Sequence, residues 1–361
     1  MEDIILRGRL ERLRDGLSKG VLKIGFSGGS ITTARTPSNW PYYVRGYLLN
    51  QYPGLRLSVA NAAIGATTSM CGLSLVQQEL IDSGCDVVFV EYACNDDEMD
   101  RQERMRTREG LVRKLLAAGI DVVIVYVLYQ KMYRQLRQNM LPDSIADFER
   151  IAENYNISSV LMSAAAYDQV EKGIISWNTW LPDGTHPQHI GSYFYAQKVI
   201  EFLNAELNRS GGIALPKGTN LPAPVDPGNW QNIQQIPFEQ VQTNGAWSVD
   251  REVFHPWFTQ RLYTWGIHNS LSFPFEGRGL FMVFSYGKQT ALLEYSIDDG
   301  PWQTYAYERI WWLPEENFVN TVKFADDLPY GQHKFAMRMR HGDKDGFTSS
   351  ECKILRIVAV Q

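Results

Sequence analysis

Between Val21 and Leu207 the chain alternates short apolar runs with stretches of helical period, and few folds accept that alternation. The apolar runs are Val21–Phe26, Leu55–Ala60, Asp86–Tyr92, Asp121–Leu128 and Ile157–Leu161. Between and after them, helical patterns cover Asn39–Tyr52, a stretch ending near Asp82, Glu98–Ala118, Asp143–Tyr155, Ala164–Lys172 and Ile190–Leu207. Strands alternating with helices imply βαβ units, a parallel sheet and right-handed crossovers. The Val/Ile content of 121–128 suits a strand buried on both faces. Upstream, Met1–Gly20 alternates Arg, Glu and Leu and reads as an amphipathic helix.

The pattern changes after Arg209. Gly, Pro, Asn and Ser dominate as far as Trp230, which reads as a linker or wrapping connection. Beyond it no helical period persists. Short alternating runs (280–286, 292–297, 333–340, 354–358) are separated by Asp299-Gly300, Tyr330-Gly331, His341-Gly342 and Asp345-Gly346. That is the signature of a small antiparallel β-sandwich. The expected division is residues 1–210 for the α/β domain, 211–230 for the linker and 231–361 for the sandwich.

A chain of 361 residues with 35 basic and 40 acidic side chains carries a net charge of −5, which argues against a nucleic-acid surface. No apolar run reaches membrane-spanning length. The first residues lack the basic-then-apolar order of an export signal, so a cytoplasmic location is expected. Four cysteines (Cys71, Cys85, Cys94, Cys352) are sparse and irregular, as reduced thiols are. Nothing in the residues sets an oligomeric state.

The first apolar run leads into Gly28-Gly29-Ser30-Ile31-Thr32. Glycines there allow a sharp turn, and a serine on that turn projects its hydroxyl at the strand end. The run lacks the Gly-Lys-Ser/Thr ending of a triphosphate loop and the glycine spacing of a dinucleotide loop. It is also no Gly-x-Ser-x-Gly elbow, since Thr32 stands where the closing glycine belongs. Gly65 and Asn95 likewise follow predicted strands, so Ser30, Gly65 and Asn95 fall along one sheet edge, where doubly wound folds keep their sites. Asp183 and His186 lie three apart in Pro182-Asp183-Gly184-Thr185-His186-Pro187. At that spacing a carboxylate can fix one imidazole nitrogen while the other faces outward, as a general base requires. His186 would take the proton of Ser30 as its oxygen attacks an acyl carbonyl. The N–H groups of Ser30 and Gly65 and the Asn95 amide would receive the oxyanion.

These four blocks resemble the SGNH (GDSL-type) hydrolases over roughly residues 20–205. They are Gly-x-Ser-Ile-Thr at Ser30, a lone glycine after the second strand at Gly65, Asn95-Asp96 after the third, and Asp-Gly-x-His-Pro at Asp183–Pro187. The resemblance implies a flavodoxin-like three-layer α/β/α fold. It also implies a serine esterase with no metal or cofactor, with Ser30, Asp183 and His186 as triad and Ser30, Gly65 and Asn95 as oxyanion hole. Two positions depart from the pattern: Gly29 stands where the family often has aspartate, and Ala93 where it usually has glycine.

The expected substrate is an O-acetyl or other short acyl ester, on a small molecule or an oligosaccharide. No lid-like apolar helix speaks for long-chain lipids. Trp40, Tyr42, Trp177 and Trp180 lie near the catalytic blocks in sequence and are candidates to stack on a sugar ring, with core packing as the rival reading. Trp247, Trp257, Trp265, Trp302, Trp311 and Trp312 pose the same choice in the sandwich, which resembles the jelly-roll accessory domains found beside such esterases. His186 with His189 lacks further ligands for a metal. An acyltransferase using the same acyl-enzyme and a non-catalytic glycan-binding protein are the alternative functions.

Overall fold

The computed structural model describes residues 2–33, 39–138, 140–287, 289–305, 317–340 and 350–361. The chain divides into two compact units, one ending at Gln231 and the other running from Asn232 to Gln361.

The strands of the first unit are β1 (Ile4–Ile5), β2 (Val21–Gly28), β3 (Arg56–Asn61), β4 (Val87–Glu91), β5 (Asp121–Tyr126) and β6 (Ser158–Leu161). Its helices are α1 (Glu11–Lys19), α2 (Trp40–Gln51), α3 (Ser69–Leu75), α4 (Arg101–Ala117), α5 (Tyr133–Arg137), α6 (Asp143–Asn154), α7 (Ala164–Glu171), α8 (Trp177–Trp180) and α9 (His189–Asn208). The strands form one sheet in the order β1-β6-β5-β4-β2-β3. All pairs are parallel except β1 with β6. Numbered along the chain, the five parallel strands run 2-1-3-4-5, the flavodoxin-like doubly wound order, whose reversal falls between β2 and β4. The helices pack as two sets, α2, α7 and α8 around α9, and α3 and α6 around α4. Every residue of β4 and β5 is buried, as a sheet covered on both faces requires.

The N-terminal segment differs from the single helix expected of it. Ile4 and Ile5 pair antiparallel with Val160 and Ser159, and the helix begins only at Glu11. As an edge strand this pair covers the open ladder of β6 and leaves both isoleucines half-buried. Gly8 then passes so close to Asn156 that a side-chain carbon there would lie 2.6 Å from its carbonyl oxygen. The connection after Arg209 wraps the first unit. Val225 and Asp226 donate backbone N–H bonds to the Glu109 carboxylate (2.6 and 2.8 Å), Arg113 donates to the Pro222 carbonyl (3.0 Å), and Trp230 is fully buried. Arg106 and Glu109 of the charged helix α4 are buried against this strap, and Arg104 and Arg108 on the same helix are buried against Asp147 and Asp96.

The second unit is a β-sandwich. Among the described residues one sheet orders Phe318–Ala325, Gly279–Tyr286, Glu351–Val360, Gln260–Trp265 and Trp247–Arg251, with Ile233–Gln235 also on Glu351–Val360. The other orders Gln303–Tyr305, Leu292–Ile297, Gly331–Arg340, Ser270–Gly277 and Gln242–Asn244. All pairings are antiparallel. Alternate side chains such as Phe273, Phe284, Phe324, Phe335 and Ile354 meet in one apolar core. Trp265 and Trp302 are exposed, and the Arg338 guanidinium lies 4.1 Å from the Trp302 ring centre. Trp247 and Trp257 are half-buried. Trp311, Trp312 and the turns at His341-Gly342 and Asp345-Gly346 lie outside the described residues.

Candidate active site

Parallel pairing places the C-terminal ends of β2, β3 and β4 at one edge, and each is followed by a tight turn. After β2, the N–H groups of Thr32 and Thr33 both donate to the Gly29 carbonyl (3.1 and 3.0 Å), which curls the chain around Ser30. After β3, Ala62 donates to Phe26 and Ile64 to Gly28 (2.8 and 3.1 Å). The loop therefore stays beside β2 and delivers Gly65 next to the serine turn. After β4, the buried Asp96 carboxylate accepts from Ser69 N–H (2.9 Å) and from Arg108 Nε (2.7 Å). This anchor holds the loop from which Asn95 projects.

The Asn95 amide packs against the bare Cα of Gly29, so closely that a side-chain carbon on Gly29 would overlap it. That contact accounts for glycine at position 29. Ala93 is buried, and its carbonyl accepts the Ser144 hydroxyl at 2.6 Å. The backbone N–H groups of Ser30 and Gly65 have no acceptor among the described residues.

Asp183 and His186 arrive from the turn between α8 and α9. Gly184 closes that turn at φ +83°, its N–H on the Leu181 carbonyl (2.9 Å) and its own carbonyl taken by Gln130 N–H (2.8 Å). One Asp183 oxygen accepts the N–H groups of Thr185 and His186 (2.9 and 2.7 Å), and the other meets His186 Nδ1 at 2.6 Å. His186 Nε2 lies 2.7 Å from Ser30 Oγ. Partial burial pushes the Asp183 carboxyl up, but the N–H and ring of His186 and the N–H of Thr185 outweigh it and hold the group below its usual range. The imidazole and carboxylate side chains remain 52% and 55% exposed, so a bulky ester can reach them.

The structure thus brings Ser30, Asp183 and His186 into one hydrogen-bonded line, with Gly65 and Asn95 beside the serine turn. It separates the four aromatic candidates. Trp40 is fully buried between Phe26 and Phe89 (ring centres 5.1 and 6.0 Å). Trp180 is fully buried too, stacked on Trp177 at 5.0 Å, with its Nε1 on the Tyr195 hydroxyl at 3.1 Å. Neither presents a face to a sugar, so both are corrected to core residues; sequence proximity to the site does not report burial. Tyr42 is 45% exposed and Trp177 half-buried, which leaves these two able to meet a ligand.

Cys94 donates to the Val127 carbonyl (3.3 Å), and burial pushes its thiol well above the ordinary range, as in a packing residue. Among the described residues no group of three or more His, Cys, Asp or Glu is placed to hold a metal ion. Two neighbours of the site escaped the sequence reading, Glu91 and Gln130, and Thr32 enters it only as part of the serine motif. Glu91 had a signal, as the one acid ending an otherwise apolar strand run, Val87-Val88-Phe89-Val90.

No protein-family model and no curated protein sequence matches the chain. Solved structures do. A two-domain esterase (CEX) active on acetylated mannans superposes with a TM-score of 0.83 at 21% identity, covering 99% of this chain and 97% of that one. The same protein co-crystallised with mannopentaose gives the same score and identity, covering 96% of its chain. The fold this chain shares with it is an α/β core of parallel strands followed by a β-sandwich. The acetylxylan esterase Axe2 from Geobacillus stearothermophilus covers 53% of the chain at 23% identity, with a TM-score of 0.46, too low to argue from.

Proposed function

We propose that this chain is a serine esterase of the SGNH type that removes O-acetyl or other short acyl groups from carbohydrate. The observation that carries the reading is the line Asp183 Oδ2–His186 Nδ1, His186 Nε2–Ser30 Oγ, at 2.6 and 2.7 Å. With Nδ1–H on Asp183, the Nε2 lone pair faces the serine hydroxyl and accepts its proton as Oγ attacks the acyl carbon. The charge formed on the carbonyl oxygen falls to the Ser30 and Gly65 N–H groups and the Asn95 amide. Collapse breaks the ester C–O bond, and His186 returns its proton to the departing sugar hydroxyl. Water, deprotonated by the same imidazole, then releases the acid and restores Ser30.

Carbohydrate as the alcohol is supported by the fold likeness to an esterase active on acetylated mannans, by the openness of the His–Asp pair, and by exposed Tyr42. The same openness admits water to the acyl-enzyme, which favours hydrolysis over transfer to a second sugar. Acetate release from a panel of acetylated oligosaccharides, with mannan and xylan fragments included, tests the proposal. Release by the wild type that vanishes in Ser30→Ala supports it. Release that survives in that variant sinks it.

A further inference from the structure

Beneath the serine turn lies a carboxyl group that the acyl-transfer steps leave unused. Glu91 ends β4, is fully buried, and stands in register with Gly28 on β2. Its Oε2 accepts the Thr32 hydroxyl at 3.0 Å, and Thr32 Oγ1 in turn accepts Trp40 Nε1–H at 3.1 Å. The Thr32 carbonyl is held as well, by the side-chain amides of Asn39 and Asn61 (3.2 and 3.0 Å). The second carboxyl oxygen has no partner of good geometry, though the Gly29 N–H is near enough to favour its charge. Gly29 and Thr32 bracket Ser30 on the turn, and Asn95 follows Glu91 by four residues on the same strand end.

We infer that Glu91 is a positioning residue. Through Thr32 it holds the nucleophile turn so that Ser30 Oγ stays on His186 Nε2 and the Ser30 N–H stays aimed at the oxyanion. The inference rests on the esterase reading above. The direction of the hydrogen-bond chain carries it. Trp40 Nε1 can only donate and takes one lone pair of Thr32 Oγ1, and an ionised carboxylate can only accept, so while Glu91 is ionised the Thr32 proton goes to it. An apolar residue at 91 would leave a buried hydroxyl without an acceptor, and the turn would be free to rotate.

Burial pushes Glu91 up to about 7 against the Thr32 hydroxyl, the Gly29 N–H and Arg108, while Asp96 adds to the rise. Tyr92 and Cys94 on its own segment and Tyr195 on α9 also feel its charge. Protonation turns this acceptor into a donor and reverses its bond to Thr32, so the turn loosens as pH falls through about 7.

The test compares the whole chain with Thr32→Val, Thr32→Ser and Glu91→Gln in steady-state turnover of p-nitrophenyl acetate, alongside melting curves. Misplacing a reacting group by a fraction of an ångström to 1 Å costs about 10- to 100-fold, and that loss is expected in kcat for T32V with KM nearly unchanged. E91Q, whose amide oxygen can still accept the Thr32 hydroxyl, is expected to lose less, and the melting curves check that each variant is folded. T32S, which keeps the hydroxyl, recovers most of the loss. The acid limb of log kcat against pH is expected to be steeper in the wild type than in E91Q, because one of its two ionisations is gone.

Wild-type kcat in both T32V and E91Q overturns the inference, as does an equal fall in T32S and T32V. Should E91Q fail to fold, the Thr32 pair decides alone. A wild type that neither turns over the ester nor takes up a serine-directed fluorophosphonate at Ser30 overturns the esterase reading and this inference together. An active wild type indifferent to these substitutions overturns this inference only.

Discussion

Two imidazoles in this chain rest on an aspartate in nearly the same way and end in different company. In the first unit His186 Nδ1 meets Asp183 at 2.6 Å; in the second, His333 Nδ1 meets Asp298 at 2.7 Å. Each aspartate uses its other oxygen on a nearby backbone N–H, that of His186 itself in one case and of Lys334 in the other. The far nitrogens differ. His186 Nε2 faces the Ser30 hydroxyl at 2.7 Å, whereas His333 Nε2 faces the Pro329 carbonyl at 2.8 Å. A carbonyl only accepts, so His333 is drawn toward the doubly protonated cation. Its pKa is raised chiefly by Asp298, with burial opposing and the Pro329 carbonyl assisting. A hydroxyl can donate, so the atom opposite His186 Nε2 is one that can hand it a proton. The aspartate orients the ring in both pairs, and what differs is the atom on the far side.

The sharpest break in that comparison is removal of the proton partners. Ser30→Ala and His186→Ala should each cut acetate release by about 10⁶-fold, since such groups act as a unit. His333→Ala should leave it unchanged. Initial rates on p-nitrophenyl acetate separate the two pairs at once. Asp183→Asn keeps the shape and spoils the tautomer, with an expected loss of about 10⁴-fold in kcat. Gly29→Ala should displace the Asn95 amide and cost about 10²-fold in kcat, as loss of one oxyanion donor does; fluorophosphonate labelling of Ser30 should persist in this variant.

The smallest effect belongs to the second pair. A solvent-screened ion pair contributes at most about 1 kcal/mol, so His333→Ala should lower the melting temperature by a few degrees. The sign follows from the two shifts. His333 titrates above its ordinary 6.5, so its stabilisation is full below that value and fades as pH rises through the higher folded value. Asp298 titrates below its ordinary 3.8, so its share is present above that value and fades as pH falls through the lower folded one. Calorimetry across pH should find wild type and H333A furthest apart near pH 5–6 and converging on the alkaline side. A constant gap would mean that packing of the His333 ring near Phe275, and not charge, accounts for it.

Much of the core was legible because periodicity is local. The runs at 56–61, 87–91, 121–126 and 158–161 lie within a residue or two of the expected strands, and Gly28-Gly29-Ser30 sits at the strand end where its glycines put it. The aromatic candidates were not legible: Trp40 and Tyr42 are two residues apart, yet one is sealed in the core and the other is 45% exposed. Helix α4 shows the same limit. Its sequence reads as a charged helix, and only tertiary contacts place Asp147 beside Arg104, Asp226 beside Arg106 and Asp96 beside Arg108, where those charges are buried.

By itself the sequence determined the alternation of elements, the change of period after Arg209, and which residues stand at strand ends, because each depends on neighbours within a turn or a pleat. Tertiary structure alone decided that Ser30 and His186, 156 residues apart, come within 2.7 Å, that Asn95 needs a bare glycine beside it, and that Glu91 lies beneath the turn. Those outcomes depend on burial and on hydrogen bonds between distant segments, and both exist only once the sheet has ordered its strands.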